Sequence, residues 1–137
     1  MWKRFMSVLG GAVLTVLVAF GAAGQQSEIE GTINSQLEAF KADDFERAFT
    51  YATPTLQQLF QSPQNFERMV TGGYPMVWRP AEVRYLELKE HQGSMWQKVQ
   101  ITDQKGFMHV LLYRMQETEA GWRIGGVQIL DAPGVNA

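Results

Sequence analysis

The chain has 137 residues, of which 45% are hydrophobic and 19% charged, with a formal net charge of −2. This composition predicts one folded domain and excludes a disordered chain, a collagen and a coiled coil. The sequence has no cysteine and only two histidines. Thiol nucleophiles, disulfides, cysteine–zinc sites, iron–sulfur clusters and multi-histidine metal centres are therefore excluded, and we expect no metal and no cofactor.

The N-terminus has the three parts of a secretory signal peptide. Two basic residues, Lys3 and Arg4, precede an uncharged and mostly apolar run, and small residues follow that run. We predict cleavage after Gly24, which divides the chain into a signal peptide at residues 1–24 and a single domain at residues 25–137.

We therefore expect an exported protein, periplasmic or secreted, with no stable membrane insertion after the signal peptide is removed. The alternative is an uncleaved membrane anchor, because the uncharged stretch at residues 5–24 is just long enough to span a bilayer. The glycines and alanines at the far end of this stretch favour cleavage.

The mature domain carries 10 basic and 14 acidic residues, which gives it a net charge of −4. Its acidic residues are scattered, and no cluster of Lys and Arg alternates with aromatic residues. We therefore expect neither nucleic acid nor an anionic membrane surface as a partner.

The first part of the mature domain has the pattern of short helices. The spacing Ser27-x-x-Glu30 is typical of a capping box and predicts a helix start. Apolar residues then recur every three or four positions and predict one buried stripe, formed by Ile29, Ile33, Leu37 and Phe40.

Three further helix starts are predicted by a capping box or a hydroxyl–proline pair: Asp43-x-x-Glu46, Thr53-Pro54 and Ser62-Pro63. The last helix is expected to stop at Gly72-Gly73. The neighbouring carboxylates Asp43 and Asp44 suggest a catalytic pair, but capping explains them better. Both lie where a helix begins, and adjacent residues there point in different directions.

From Tyr74 onward the apolar residues alternate with period two. Pro75 and Pro80 predict a short extended segment at residues 76–79 between them. Four strands are then predicted, at residues 82–90, 94–103, 107–117 and 122–130. The short breaks between them predict hairpins and therefore an antiparallel meander.

The turn chemistry predicts the pairing of the second and third strands. If Gly106 takes the left-handed position of a three-residue hairpin, the numbers of opposed residues sum to 210. A two-residue loop would shift this register by one residue. The pairs expected on one face are Gln97 with Tyr113 and Ile101 with His109, and on the other face Trp96 with Arg114.

The last strand changes its alternation in the middle. Trp122 and Ile124 have even numbers, whereas Val127 and Ile129 have odd numbers. A bulge at Gly125-Gly126 would return both apolar pairs to one face and bend the sheet.

Several segments carry a resemblance to a known family: Gln36-Leu37-x-Ala39-Phe40-x-x-x-Asp44-x-x-x-Ala48-Phe49, Ala52-x-Pro54, Phe66-x-x-Met69-Val70, Tyr74-Pro75, Gln97-x-Val99 and Gly121-Trp122-Arg123-Ile124-x-Gly126. Over residues 28–130 the chain resembles an exported bacterial family, domain of unknown function 4864, with a nuclear-transport-factor-2-like or cystatin-like cone. The resemblance implies an α+β fold in which N-terminal helices pack on a strongly bent antiparallel sheet. It further implies a conical cavity and frequent dimerisation, but no reaction.

Three polar residues on the predicted inner face are candidate ligand-binding residues: Gln97, His109 and Tyr113. Each has a simpler explanation, since Gln97 and Tyr113 can form a cross-strand hydrogen bond and His109 can be a partly buried strand residue. Asp103, near the hairpin end, is better explained as a turn residue. We assign no catalytic residue.

Trp96, Arg114 and Trp122 are candidate interface residues, because tryptophan and arginine are enriched at the centres of interfaces. Trp96 over Arg114 would form a cation–π contact. The third strand is apolar on both faces, so a second copy of the sheet is the simplest cover for the face without helices. The alternative is ordinary packing of arginine stems over aromatic rings.

The sequence favours an exported, non-catalytic module that holds a small apolar ligand or a protein partner, as a homodimer through the sheet. One alternative is a cofactor-independent isomerase, cyclase or hydrolase, which needs an inward carboxylate or histidine. Another is a purely structural dimer whose cone is filled by its own side chains.

Overall fold

The computed structural model describes the backbone of residues 2–130 and the side chains of residues 21–130. The helices are α1 (Trp2–Lys41), α2 (Phe45–Phe49), α3 (Pro54–Phe60), α4 (Pro63–Gly73) and α5 (Pro75–Trp78). The strands are β1 (Pro80–His91), β2 (Ser94–Asp103), β3 (Met108–Thr118) and β4 (Gly121–Leu130). Helices followed by an antiparallel sheet confirm the predicted α+β class.

In the described part of the chain, no helix is both long enough and apolar enough to cross a bilayer. Most side chains of the predicted signal peptide, and the last seven residues of the predicted domain, lie outside the described residues.

The helix α1 is continuous through the predicted capping box, so the predicted start at Ser27 is wrong. No proline interrupts this segment, and both Ser27 and Glu30 lie inside the helix. The predicted apolar stripe is confirmed, because its four members are buried against the sheet: Ile29, Ile33, Leu37 and Phe40.

Side-chain caps begin the next three helices. Thr53 accepts a hydrogen bond from the Leu56 amide at 3.3 Å, and Ser62 accepts one from the Asn65 amide at 3.1 Å. Both proline-associated starts are thus confirmed, as is the end of α4 at Gly73.

The capping box predicted at Asp43 is wrong by one residue. Asp44 is the N-cap of α2 and accepts from the Arg47 amide at 3.1 Å. Asp43 has a positive φ of 58° and serves a different purpose. Its Oδ1 accepts from Trp78 Nε1 at 2.8 Å and from Arg79 Nη2 at 2.9 Å, which ties the end of α1 to the end of α5.

The segment predicted to be extended at residues 76–79 is instead the helical turn α5. Pro75 occupies its first position, where the fixed φ of proline suits a helix and no amide hydrogen is needed. The turn ends at Arg79, whose amide donates to the Pro75 carbonyl at 3.2 Å. Pro80 disfavours helical geometry in the residue before it, so the chain then enters β1.

The four strands form an antiparallel meander in the order β1-β2-β3-β4, as predicted. The predicted register of β2 and β3 is confirmed, with Gln97 opposite Tyr113 and Ile101 opposite His109. Gly106 has a φ of 88°, the left-handed conformation that the predicted turn requires.

Three register shifts interrupt the sheet: one in β4, one in β1 between Tyr85 and Leu88, and one at the start of β1 between Pro80 and Glu82. In β4, Gly126 pairs with Arg114 and Ile124 pairs with Met115, so Gly125 is the extra residue, as predicted. Both apolar pairs of β4 therefore share the face that α1 covers, which we call the inner face; the opposite side is the outer face. The bulge in β1 between Tyr85 and Leu88 was not predicted.

The free edge of β4 is joined to the helical layer. The Thr53 amide donates to the Ile124 carbonyl at 2.9 Å, and the Ile124 amide donates to the Tyr51 carbonyl at 2.8 Å. These bonds fix the start of α3 over the inner face, where α1, α3, α4 and α5 surround one space.

A pair of glycine-to-alanine substitutions tests the conformation of the turn between β2 and β3. Gly106→Ala should lower the free energy of unfolding by about 1–2 kcal/mol, because alanine is strained at positive φ. Gly73→Ala, at the end of α4, should be neutral or stabilising by up to about 1 kcal/mol. A Cβ at either position meets no atom within 4 Å, so only the backbone differs. Urea denaturation measures both values, and equal effects would contradict the turn assignment.

Candidate ligand cavity

A cavity of about 260 Å³ lies between the helices and the inner face of β3 and β4. We call it the apolar cavity, since most of its lining is aliphatic or aromatic. Its lining residues are Gln36, Phe40, Leu56, Phe60, Phe66, Met69, Val70, Tyr74, Val77, Tyr113, Ile124, Gly126 and Val127.

One wall of the apolar cavity is a cluster of phenylalanine rings. The ring of Phe66 on α4 lies 5.8 Å from that of Phe40, 5.3 Å from that of Phe49 and 5.6 Å from that of Phe60, centre to centre. Tilted and edge-on rings at these separations attract one another beyond simple burial. This wall is therefore well packed.

Among residues 21–130, three polar side chains line the apolar cavity: Gln36, Tyr74 and Tyr113. Gln36 donates its Nε2 to the Ala48 carbonyl at 3.1 Å. The Tyr74 hydroxyl donates to the Val127 carbonyl at 3.2 Å. The Tyr113 hydroxyl makes no hydrogen bond to any residue from 21 to 130.

Tyr113 is the candidate ligand residue that the structure places in the apolar cavity. It is 1% exposed. Burial raises the pKa of its hydroxyl above the usual range, and the proximity of Tyr85 raises it further. The Tyr113 hydroxyl is therefore neutral at physiological pH and able to donate a hydrogen bond.

Gln97 lies deeper in the sheet and does not line the apolar cavity. Its Nε2 donates to the carbonyls of Leu86, Glu87 and Lys98 at 3.1, 3.3 and 2.8 Å. Two of these carbonyls belong to the bulge of β1, so Gln97 satisfies backbone groups that the bulge leaves unpaired. It bonds these carbonyls rather than Tyr113.

His109 lies at the far end of the sheet, beside the turn between β2 and β3. Its Nε2 is 2.9 Å from Asp103 Oδ2. The other carboxylate oxygen accepts from the amides of Lys105 and Phe107 at 2.9 and 3.0 Å. This pair borders a separate cleft of about 280 Å³, which Met76 also lines.

The candidate interface residues divide between the two faces. Trp96 and Arg114 are opposed on the outer face, as predicted, but no cation–π contact joins them in the described residues. The Arg114 guanidinium instead donates to the Gly125 carbonyl at 3.0 Å. Trp122 is 7% exposed and lies on the inner face, where its carbonyl accepts from Thr32 on α1 at 3.1 Å.

Gln36 is not among the predicted site residues, although the sequence carries a signal for it. Gln36 follows Ile29 by seven positions and Ile33 by three, so it lies on the apolar stripe of α1. A glutamine on such a stripe must find polar partners inside the protein.

No group of three or more His, Asp and Glu side chains within the described residues is arranged to hold a metal ion. Within the described residues, the lining of the apolar cavity is mostly hydrocarbon, with three polar side chains and no Asp, Glu, Lys, Arg or His. Such a lining suits an uncharged molecule better than a charged one.

A comparison with protein families agrees with the predicted family. Among solved structures, the chain is similar to an NTF-2 like protein of unknown function from Burkholderia xenovorans LB400, with 13% identity and a TM-score of 0.44. The similarity covers 80% of this chain and 91% of that chain. Residues 22–137 match the model of the family Domain of unknown function (DUF4864), and the chain belongs to this family. No curated protein matches the sequence.

The contact between Asp103 and His109 predicts how the free energy of unfolding depends on pH. The hydrogen bond from His109, followed by those from the backbone amides, lowers the pKa of Asp103 below its ordinary value of 3.8. A carboxylate with a lowered pKa in the folded state stabilises the fold above its unfolded pKa, and this stabilisation is lost as the pH falls through the folded value.

Asp103→Asn should therefore reduce the free energy of unfolding at neutral pH, and its difference from the wild type should shrink on acidification below 3.8. Urea denaturation at several pH values measures this. Glu119→Gln, which removes an exposed carboxylate from the turn between β3 and β4, is the matched control. A pH-independent difference for Asp103→Asn would contradict the assignment.

Proposed function

We propose that this protein is an exported binding module that holds a small, mostly apolar ligand between its helices and its sheet. The observation that carries the proposal is the apolar cavity of about 260 Å³. An apolar cavity of about 150 Å³ is enough for benzene, whereas drug-sized ligands occupy about 300–1,000 Å³. The ligand is therefore larger than benzene and smaller than a typical drug.

The lining favours binding over acid–base catalysis. A proton-transfer enzyme of this shape needs a carboxylate or an imidazole facing the substrate. The described lining of the apolar cavity contains no Asp, Glu or His. The pair formed by Asp103 and His109 borders a separate cleft. The open volume of the apolar cavity also argues against a cone filled by its own side chains.

Export is supported by the basic, apolar and small-residue segments at the start of the chain. We infer a mature protein that begins at Gln25 and resides in the periplasm or outside the cell. N-terminal sequencing of the protein recovered from the periplasmic or secreted fraction tests this. A chain that starts at Met1 and stays with the membrane would support the uncleaved anchor instead.

A pair of matched substitutions tests the binding function. Val127 lines the apolar cavity, and Val110 lies on the outer face of β3. Calorimetric or NMR titration with ethylbenzene should show saturable binding to the wild type. Val127→Phe should abolish that binding by filling the space, whereas Val110→Phe should preserve it, because the same added volume lies outside the apolar cavity.

Circular dichroism checks that both valine variants are folded. Failure of the folded wild type to bind either ethylbenzene or its hydroxylated analogues would overturn the proposed function. Equal loss of binding in the two variants would place the bound molecule elsewhere.

We further propose that two copies associate through their outer faces. A groove of about 510 Å³ on this face contains the apolar side chains of Trp96, Leu112 and Leu130. Charges of both signs flank them: Glu87, Lys89, Glu90 and Lys98. A patch with both signs is complementary to itself when a two-fold axis relates the copies, which favours a second copy as the occupant.

Leu112→Glu should convert the dimer into a monomer, because Leu112 lies near the middle of this face and a buried carboxylate there has no partner. Light scattering coupled to size-exclusion chromatography measures the mass. Leu59→Glu, at a leucine of α3 that is 71% exposed, should leave the dimer intact. A monomeric wild type at micromolar concentration would contradict the proposal.

A further inference from the structure

Two polar side chains that line the apolar cavity each have an atom without a hydrogen-bond partner among residues 21–130. One is the Tyr113 hydroxyl, and the other is Oε1 of Gln36. Gln97 Oε1 is the one side-chain polar atom of the described residues that is both fully enclosed and unpartnered. The Tyr113 hydroxyl and Gln36 Oε1 are therefore not enclosed by protein atoms, and the space that their residues share is the apolar cavity.

The orientation of the Gln36 amide is fixed by its partner. The Ala48 carbonyl can only accept, so the atom 3.1 Å from it must be the amide nitrogen. The acceptor oxygen of Gln36 is thus the atom left without a protein partner. Gln36 lines the apolar cavity and is 4% exposed, so a molecule in the cavity is the donor that we assign to this oxygen.

Tyr113 presents the complementary group. Its hydroxyl is neutral because burial disfavours the phenolate. A neutral hydroxyl with no other partner donates readily to an oxygen of a ligand. The hydroxyl of the third polar side chain, Tyr74, already donates its hydrogen bond to the Val127 carbonyl.

We propose that the apolar cavity selects a neutral, hydroxyl-bearing molecule of the alcohol or phenol class, a specificity that rests on the proposed binding function. The ligand hydroxyl donates to Gln36 Oε1 and accepts from the Tyr113 hydroxyl. A hydrocarbon satisfies neither group, and an ether or ketone satisfies only Tyr113.

A carboxylate ligand is disfavoured on two grounds. It has no proton to donate to Gln36 Oε1. It also carries a charge into a space whose described lining contains no Lys, Arg or His to balance it. The size range derived above suits a single aromatic ring with a short alkyl substituent.

A matched ligand series tests the selectivity. The protein is titrated by calorimetry with 4-ethylphenol, 4-ethylanisole and ethylbenzene, which present a hydroxyl, an ether oxygen and no polar atom. A cavity without polar partners binds 4-ethylphenol more weakly than ethylbenzene, because the hydroxyl loses its water without compensation. We expect the wild type to bind 4-ethylphenol at least as tightly as ethylbenzene and more tightly than 4-ethylanisole.

Tyr113→Phe should lower the affinity for 4-ethylphenol about tenfold and leave that for ethylbenzene unchanged, which corresponds to the loss of one buried hydrogen bond. The variant should remain folded, because the deleted hydroxyl bonds to none of residues 21–130. Tyr85→Phe is the matched control, since its hydroxyl bonds to the Glu30 carbonyl at 3.3 Å outside the apolar cavity. It should not change the ratio of the two affinities.

Gln36→Met is a second test, because it removes the acceptor while it keeps most of the side-chain volume. It should erase the preference for 4-ethylphenol over 4-ethylanisole. If ethylbenzene binds and the ratios do not respond to Tyr113→Phe, hydroxyl selectivity is wrong while the binding function stands. If none of the three compounds binds, the binding function itself is wrong.

Discussion

The structure depends on one extra residue in β4. Side chains of a strand alternate between the two faces, so an uninterrupted β4 would send either Trp122 and Ile124 or Val127 and Ile129 to the outer face. The bulge at Gly125 corrects this alternation and places both pairs on the inner face. The Arg114 guanidinium bonds to the Gly125 carbonyl on the outer side, and a Cβ at Gly125 would meet Gln116 Oε1 at 2.9 Å. Glycine at this position thus leaves room for the Arg114 guanidinium. The bulge that it forms places Ile124 and Val127 in the wall of the apolar cavity.

Four buried or partly buried polar side chains divide into two sets with different roles. Gln97 is buried and Asp103 is partly buried, and both bond to backbone groups, those of the bulge in β1 and of the turn between β2 and β3. They stabilise irregular backbone, which would otherwise carry unpaired polar atoms. Gln36 and Tyr113 instead line the apolar cavity, and each has one atom without a partner among residues 21–130. Gln97 Oε1 also lacks a partner there, but it is fully enclosed by protein atoms. A buried group that gives up hydrogen bonding reduces stability, so all three atoms lower stability, and those of Gln36 and Tyr113 belong to residues beside the apolar cavity.

The sequence predicted the features that depend on neighbouring residues. The caps at Thr53 and Ser62, the turn at Gly106 and the bulge at Gly125 were all predicted from local chemistry, and the register of β2 and β3 followed from the turn alone. The errors arose where local signals were ambiguous. Proline at position 75 fits both an extended segment and a helix start, and the capping pattern at Ser27 does not exclude a helix that has already begun.

The site was harder to predict than the fold. Strand alternation placed Gln97, His109 and Tyr113 on one face, but these residues spread along the sheet and only Tyr113 reaches the apolar cavity. The helices that close the cavity decide which part of the face is a site, and their placement depends on long-range contacts such as the bond from Thr53 to Ile124. The hydrophobic pattern of one strand or helix carries no information on these contacts.

The contact between Asp43 and the end of α5 has a consequence for the wall of the apolar cavity. α5 has four residues, and it contributes Val77 to this wall. The ion pair from Asp43 to Arg79 is largely exposed to solvent, and exposed pairs add little stability. The buried side chains of Met76 and Val77 therefore hold α5 in place more than this ion pair does. An occupant of the cavity in contact with Val77 would add to that burial and would lower the population of molecules in which this turn is opened.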